Sequence, residues 1–150
     1  MQIHVLSYDD PVVRMLEERV QAEYVARYGG PDASEMSVAG FEPPAGGFLV
    51  GWVDGEPVAC GGFRAHEDDA EIKRMYVPDE HRGYGYARAL LAALEERARA
   101  AGYRRMILET GDAQPEALAL YTSSGYTPIP GFGIYRCAPQ SKSFAKALPD

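Results

Sequence analysis

Cysteine, histidine and tryptophan are scarce in this chain, with two, three and one among 150 residues. Cys60 and Cys137 lie far apart and in no ligand pattern, so they supply no disulfide framework, which fits a reducing compartment. His4, His66 and His81 lack the spacing of a metal set, and no metal is expected. No apolar run approaches the roughly 20 residues needed to cross a bilayer. The start, MQIHVLSYDD, has neither the basic flank nor the apolar core of a signal peptide, so a cytoplasmic location with no membrane partner is expected. A basic excess is also missing: 15 Lys and Arg stand against 22 Asp and Glu, for a net charge of −7. That balance argues against nucleic acid as a partner and is compatible with a cationic one. Repeats, low-complexity tracts and linkers are absent too. With 46% apolar residues, the chain reads as one domain, 1–150, with a substantial core.

What is present is organised around Glu71 to Ala101. Glu71 to Val77 reads as a strand that Pro78 stops, since proline brings no N–H to a ladder. From about Gly85 to Ala101, Ala87, Leu90, Leu91, Leu94 and Ala98 recur at three- and four-residue steps and form one helical stripe. Between strand and helix, Arg82-Gly83-Tyr84-Gly85-Tyr86-Ala87 turns the backbone sharply. It leaves the first helical N–H groups free, and such an end attracts anions, phosphate above all. The loop is not a Walker motif, because no Gly-Lys-Ser/Thr follows. By itself it reads equally well as a plain glycine turn.

The rest of the chain supplies a coherent frame. Ile3 to Ser7 reads as a first strand, and a helix follows from about Pro11 to Tyr28, closed by Gly29-Gly30-Pro31. Asp32 to Gly47 is irregular, with room for a short helical turn. Loops of this length are often functional, and Phe41 and Glu42 are candidates to line a pocket. Phe48 to Val53 and Glu56 to Phe63 form a hairpin around Asp54-Gly55, and Gly61-Gly62 suggests a bulge or a close backbone approach. A second turn near Glu67-Asp68-Asp69 returns the chain into the Glu71 strand. After the long helix, Arg104 to Thr110 reads as a strand buried on both faces and parallel to its predecessor or near it. Pro115 opens another helix that Gly125 stops, and Ser141 to Leu148 makes the last strand.

Three segments carry a family resemblance. Arg82-x-x-Gly85-x-Ala87 resembles the Arg/Gln-x-x-Gly-x-Gly/Ala pyrophosphate loop of the GNAT superfamily of N-acetyltransferases. Ala119-Leu120-Tyr121-Thr122-Ser123-Ser124-Gly125-Tyr126 resembles that family's A-x-x-L-Y-x-x-x-G-F/Y segment, and Ser143 to Leu148 its last strand. Ala87 stands where glycine is commonest, and Gln114-Pro115 replaces a frequent asparagine. The resemblance spans essentially the whole chain. It implies an α/β (α+β) GNAT fold: a mixed central sheet of about six to seven strands flanked by about four helices.

It also implies an acetyl-coenzyme A-dependent N-acetyltransferase acting on a primary amine, of a small molecule or a peptide, by direct attack in a ternary complex. The cofactor would be held by Met75, Tyr76, Val77, Arg82, Gly83, Tyr84, Gly85, Tyr86 and Ala87, with the Met75 N–H polarising the thioester carbonyl. Tyr76, Tyr84 and Tyr86 fit the core as well as the cofactor. Tyr121 corresponds to the tyrosine that protonates the leaving thiolate, though periodicity alone makes it a core aromatic. Glu71 corresponds to the base of the histone-acetylating members, and reads equally well as a solvated strand charge beside Lys73 and Arg74. The acceptor groove would lie between the first helix, the Asp32 to Gly47 loop and the Pro130 to Gln140 bridge, with aromatics Tyr28, Phe41, Phe132 and Tyr135. A homodimer stays open, because a late strand of this family often joins one. The reading from a different class is a regulatory domain that binds acetyl-coenzyme A and a protein partner without turnover.

Overall fold

The computed structural model describes residues 1–150. One seven-stranded sheet runs through the chain, in the order β1-β2-β3-β4-β5-β7-β6. Its strands are β1 (Gln2–Leu6), β2 (Gly47–Val53), β3 (Glu56–His66), β4 (Asp69–Tyr76), β5 (Arg105–Gly111), β6 (Thr127–Ile129) and β7 (Ser141–Ala147). All neighbours are antiparallel except β4 and β5. The helices are α1 (Pro11–Tyr28), α2 (Tyr86–Ala100) and α3 (Pro115–Ser123). Where the pattern suggests about four helices there are three, plus single 3-10 turns at Ala39–Phe41 and Asp79–His81.

The ends of α1 follow from local chemistry. Asp10 accepts from the Val12 N–H at 2.8 Å and Pro11 occupies the first turn, while Gly29 closes the helix at φ 80°. The stripe of α2 (Leu90, Leu91, Leu94, Ala98) is buried on one face of the sheet with Leu49, Phe63, Ile72, Leu108 and Tyr121 of the same cluster. Val13, Leu16 and Val20 of α1 fill the other face with Tyr8, Phe41 and Phe48. Phe41 is 2% exposed and lies 4.9 Å from the Tyr8 ring, so it is a core aromatic and lines neither of the two main cavities. Its apolar ring gains more from that cluster than from a half-wet groove.

Two irregularities shape the centre of the sheet. Between Cys60 and Gly62 the β3 strand advances two residues while β4 advances three, from Tyr76 to Lys73. The extra residue is a β-bulge, and Arg74 sits in it at φ 61°. Across from it a Cβ on Gly61 would come 2.5 Å from Met75 Sδ, and one on Gly62 would come 2.6 Å from Phe48 Cδ2. That explains the glycine pair as a close approach. The bulge breaks the usual alternation of faces: the neighbours Lys73 and Arg74 both reach Asp32 on the α1 side.

The second irregularity is a splay. The parallel strands β4 and β5 pair only at Ala70↔Met106 and Glu71↔Ile107. Beyond those positions they separate, while β5 stays paired to β7 from Arg105 to Gly111. The sheet therefore opens between the C-terminal halves of β4 and β5 and presents a free strand edge on each side.

Candidate active site

The glycine turn stands where β4 leads out of the sheet. Gly83 and Gly85 adopt φ 88° and 80°, and nothing lies within 4 Å of where either Cβ would be. No side chain caps α2, whose first bond back to the turn runs from Ala89 N–H to Gly85 O. The first N–H groups of the helix thus point into open space, an anion cradle that a Cβ would crowd. Tyr84, 69% exposed, stacks on Tyr86 at 5.5 Å beside it.

The other expected cofactor residues divide by face. Met75 and Val77 pack against the α2-side cluster, whereas Tyr76 is buried on the α1 side. Arg82 does not hang free over the cradle. Its Nε donates to Val77 O at 2.9 Å, and its terminal nitrogens pair with Glu23 at 2.6 Å and Asp79 at 2.7 Å. Nearby, Arg27 donates to Ala113 O at 2.8 Å and pairs with Glu116 at 2.6 Å. Tyr28 Oη donates to Gln114 Oε1 at 3.3 Å. These contacts tie the end of α1 to the start of α3.

Tyr121 has a buried ring, T-shaped to Tyr126 at 5.6 Å. Its phenol makes no hydrogen bond within the protein, yet its oxygen is not among the fully enclosed unpartnered atoms, which are Trp52 Nε1 and Ser143 Oγ alone. The oxygen is therefore not fully enclosed. Burial raises its pKa above the ordinary tyrosine value, so it keeps its proton.

On the α1 side lie two adjoining cavities. One, of about 320 Å³, is bounded by Tyr24, Tyr28, Asp32, Lys73, Glu109 and Tyr135 among others. The second, of about 810 Å³, is bounded by Ser34, Arg64, His66, Glu71, Glu109 and Ile134 among others. Glu109 borders both. Glu71 borders only the second, and its carboxylate accepts from Arg64 Nε at 3.1 Å. Tyr28 and Tyr135, expected in the acceptor groove, do wall the first cavity.

Beneath the first cavity is a charged network that local sequence does not announce. Arg74 Nε donates to both Glu17 carboxylate oxygens, at 2.9 and 3.0 Å, and the guanidinium also meets Asp32, while Lys73 Nζ donates to Asp32 and to Ser34 Oγ, each at 3.0 Å. Burial works to raise the pKa of Asp32, but Lys73, Arg74 and the Ser34 hydrogen bonds outweigh it and hold the carboxyl well below the aspartate range. A depressed folded-state pKa contributes stability that is complete above the unfolded value, near ~3.9, and is lost as pH falls below it. Urea denaturation between pH 7 and pH 2.5 should therefore show an acid loss of stability that is smaller in Asp32→Asn than in the natural protein.

The sheet thus splays between its two parallel strands, with a glycine-turned helix start at the mouth. The profile of the acetyltransferase (GNAT) family matches residues 13–126, and the chain belongs to that family. It is 38% identical over 103 residues to an IAA acetyltransferase of Azospirillum brasilense, covering 67% of each chain. An uncharacterized N-acetyltransferase of Escherichia coli, YjgM, is 31% identical over 131 residues, with 81% of this chain and 78% of that one covered. Among solved structures, a Klebsiella pneumoniae protein assigned as an acyl-CoA N-acyltransferase superposes with a TM-score of 0.81 at 32% identity, over 98% of this chain and 97% of the other. An aminoglycoside 6'-N-acetyltransferase complexed with coenzyme A shares the fold, with a TM-score of 0.74 at 15% identity and 100% and 99% coverage. The chain is accordingly an acyltransferase of the GNAT family, with no helix long and apolar enough to cross a membrane.

Proposed function

We propose that the protein transfers an acetyl group from acetyl-coenzyme A to a primary amine by direct attack. The observation that carries this reading is the splay between β4 and β5, which ends at the anion cradle on one side and opens into the 320 Å³ cavity on the other. Acetyl-coenzyme A, when bound, supplies an activated acetyl thioester.

The chain's own groups fit that partner. The Gly83–Ala87 backbone offers N–H donors to a diphosphate, flanked by Arg82 and the Tyr84–Tyr86 stack. The free edge of β4 at Met75, continued by Val77, would offer strand-type pairing to an extended amide-bearing arm, and the Met75 N–H would polarise the thioester carbonyl. For that edge to pair fully, Arg82 has to release Val77 O. Tyr121 holds a proton on an unpartnered oxygen and delivers it to the leaving sulfur. Glu71, the base candidate by strand position, is already engaged by Arg64 at 3.1 Å.

An acyl-enzyme is disfavoured by Cys60, which is 1% exposed and whose thiol burial drives far above its ordinary pKa. The named relatives differ in acceptor: one is an IAA acetyltransferase, and a human one, matched over 39% of its length, is an N-acetylaspartate synthetase. The fold therefore leaves the particular amine to experiment.

The test is mass spectrometry after incubating the protein with acetyl-coenzyme A and a mixture of amines, amino acids and peptides. An acetylated amine with an unmodified protein is expected, and an acetylated cysteine would contradict direct attack. In a companion experiment, Gly85→Ala forces a side chain to φ 80° at a cost of about 1–2 kcal/mol. The free loop escapes that strain by relaxing, so binding must restore φ 80°, and calorimetry should show coenzyme A affinity roughly tenfold weaker, since about 1.4 kcal/mol is a factor of ten.

A further inference from the structure

The carboxylates around the two cavities do not share one electrostatic situation. Glu17 is paired with Arg74 at 2.9 Å, Asp32 with Lys73 at 3.0 Å and with Arg74, and Glu71 with Arg64 at 3.1 Å. Glu109, at the end of β5 where the splay opens, pairs with no cation; Ser141 Oγ donates to it at 3.3 Å. Glu35, which also borders the second cavity, is exposed to solvent; among the carboxylates here that are at least half-buried, only Glu109 lacks a cation, and it alone borders both cavities. The backbone of the β6–β7 bridge closes directly on it. Gly133 stands at φ 72°, and a Cβ there would lie 2.6 Å from Glu109 Oε1.

We propose that Glu109, rather than Glu71, receives the ammonium group of the acceptor and takes its proton. This rests on the acetyltransferase reading above. An amine arriving as R–NH3⁺ supplies the missing cation and gives one proton to the Glu109 carboxylate, which frees the nitrogen lone pair. The N–C bond then forms as the C–S bond of the thioester breaks. The second proton shed by nitrogen passes through water to the Tyr121 phenolate left once Tyr121 has protonated sulfur, and Glu109 returns its proton to solvent through the open second cavity.

The surroundings suit the exchange. Glu109 is faced by Lys73 and Glu71 from β4, Asp32 from the loop after α1, Arg64 and His66 from β3 across the second cavity, and Tyr135 from the bridge. Burial raises its pKa above the ordinary glutamate value, and the Glu71 charge adds to this against the pull of Lys73. Glu71 and Asp32 are already held by cations, so neither offers an open negative charge to an incoming ammonium.

Two readouts test the assignment. In the first, kcat/KM for thiol release is followed against pH with whichever amine of the panel turns over. The natural protein should show an acidic limb from Glu109 above the ordinary carboxylate range. Glu109→Gln should lower the rate about 100-fold or more and remove the limb while coenzyme A binding persists, whereas Glu71→Gln should retain the limb. Loss of the limb in Glu71→Gln with its retention in Glu109→Gln would overturn the proposal. The second readout needs no turnover: the ¹³C-carboxyl resonance absent from Glu109→Gln should titrate above the ordinary glutamate range in the natural protein. Titration at or below that range overturns the assignment. Absence of thiol release with every amine would count against the acetyltransferase reading itself, a separate outcome.

Discussion

Tyr121→Phe should lower kcat by about 100- to 10,000-fold while leaving coenzyme A affinity within about twofold, because general acid catalysis contributes on that scale. The substitution removes one oxygen and nothing else. The ring keeps its place against Tyr126 at 5.6 Å and in the α2-side core. The lost hydroxyl makes no hydrogen bond in the protein, so folding has nothing to forfeit with it. Stopped-flow or steady-state thiol release, paired with calorimetry on the same preparation, separates the two quantities. Equal loss of kcat and of cofactor affinity would assign Tyr121 to packing. An unchanged kcat would remove it from the chemistry.

Arg74→Met should destabilise the protein by about 3–5 kcal/mol, the scale for removing one partner of a buried ion pair. The Arg74 side chain is 1% exposed, and the Glu17 and Asp32 carboxylates it holds are only 13% and 15% exposed. Removing the guanidinium strands Glu17 and takes one of two cations from Asp32. The backbone supplies a second part of the effect. Arg74 stays at φ 61°, a left-handed conformation costing a β-carbon residue about 1–2 kcal/mol. Arg74→Gly should therefore be less destabilised than Arg74→Met by about 1 kcal/mol, since glycine takes that φ freely. Urea denaturation at pH 7 checks both variants. Equal midpoints for Met and Gly would mean that the bulge relaxes once the network is gone.

Much of this architecture is written in short-range signals. Asp10-Pro11 and Gly29 bound α1 at Pro11–Tyr28, the span expected from caps alone. The apolar stripe of α2 and the two glycines before it predict both a helix and an open helix start, and the structure has both. The Asp54-Gly55 turn likewise gives the β2–β3 hairpin.

Other features depend on partners distant in sequence. Nothing around Arg74 marks a left-handed residue; the hint lies across the sheet in Gly61-Gly62, which a single strand pattern cannot connect to it. The Asp32 network joins groups some 40 positions apart, and a lone aspartate in an irregular loop carries no sign of it. Phe41 looked outward from a glycine- and proline-rich loop, yet the 3-10 turn at Ala39–Phe41 folds it into the core. Glu109 was hidden in a strand expected to be buried. Its position at the C-terminal end of a strand parallel to its predecessor, where α/β sheets bind ligands, was the available signal. That it lacks a cation depends on Arg64, Lys73 and Arg74 already being committed elsewhere.

The central claim is turnover: that the splayed sheet and its cradle serve acetyl transfer to an amine. Its most direct test is the initial rate of thiol release from acetyl-coenzyme A by purified protein, measured with and without each amine of a broad panel. Saturable acetyl-coenzyme A binding is expected, with thiol release that requires an amine, at rates rising with both substrates as in a ternary complex. Tight acetyl-coenzyme A binding with no amine-dependent release across the panel would contradict it, and would make the chain a sensor of the cofactor rather than an enzyme that uses it.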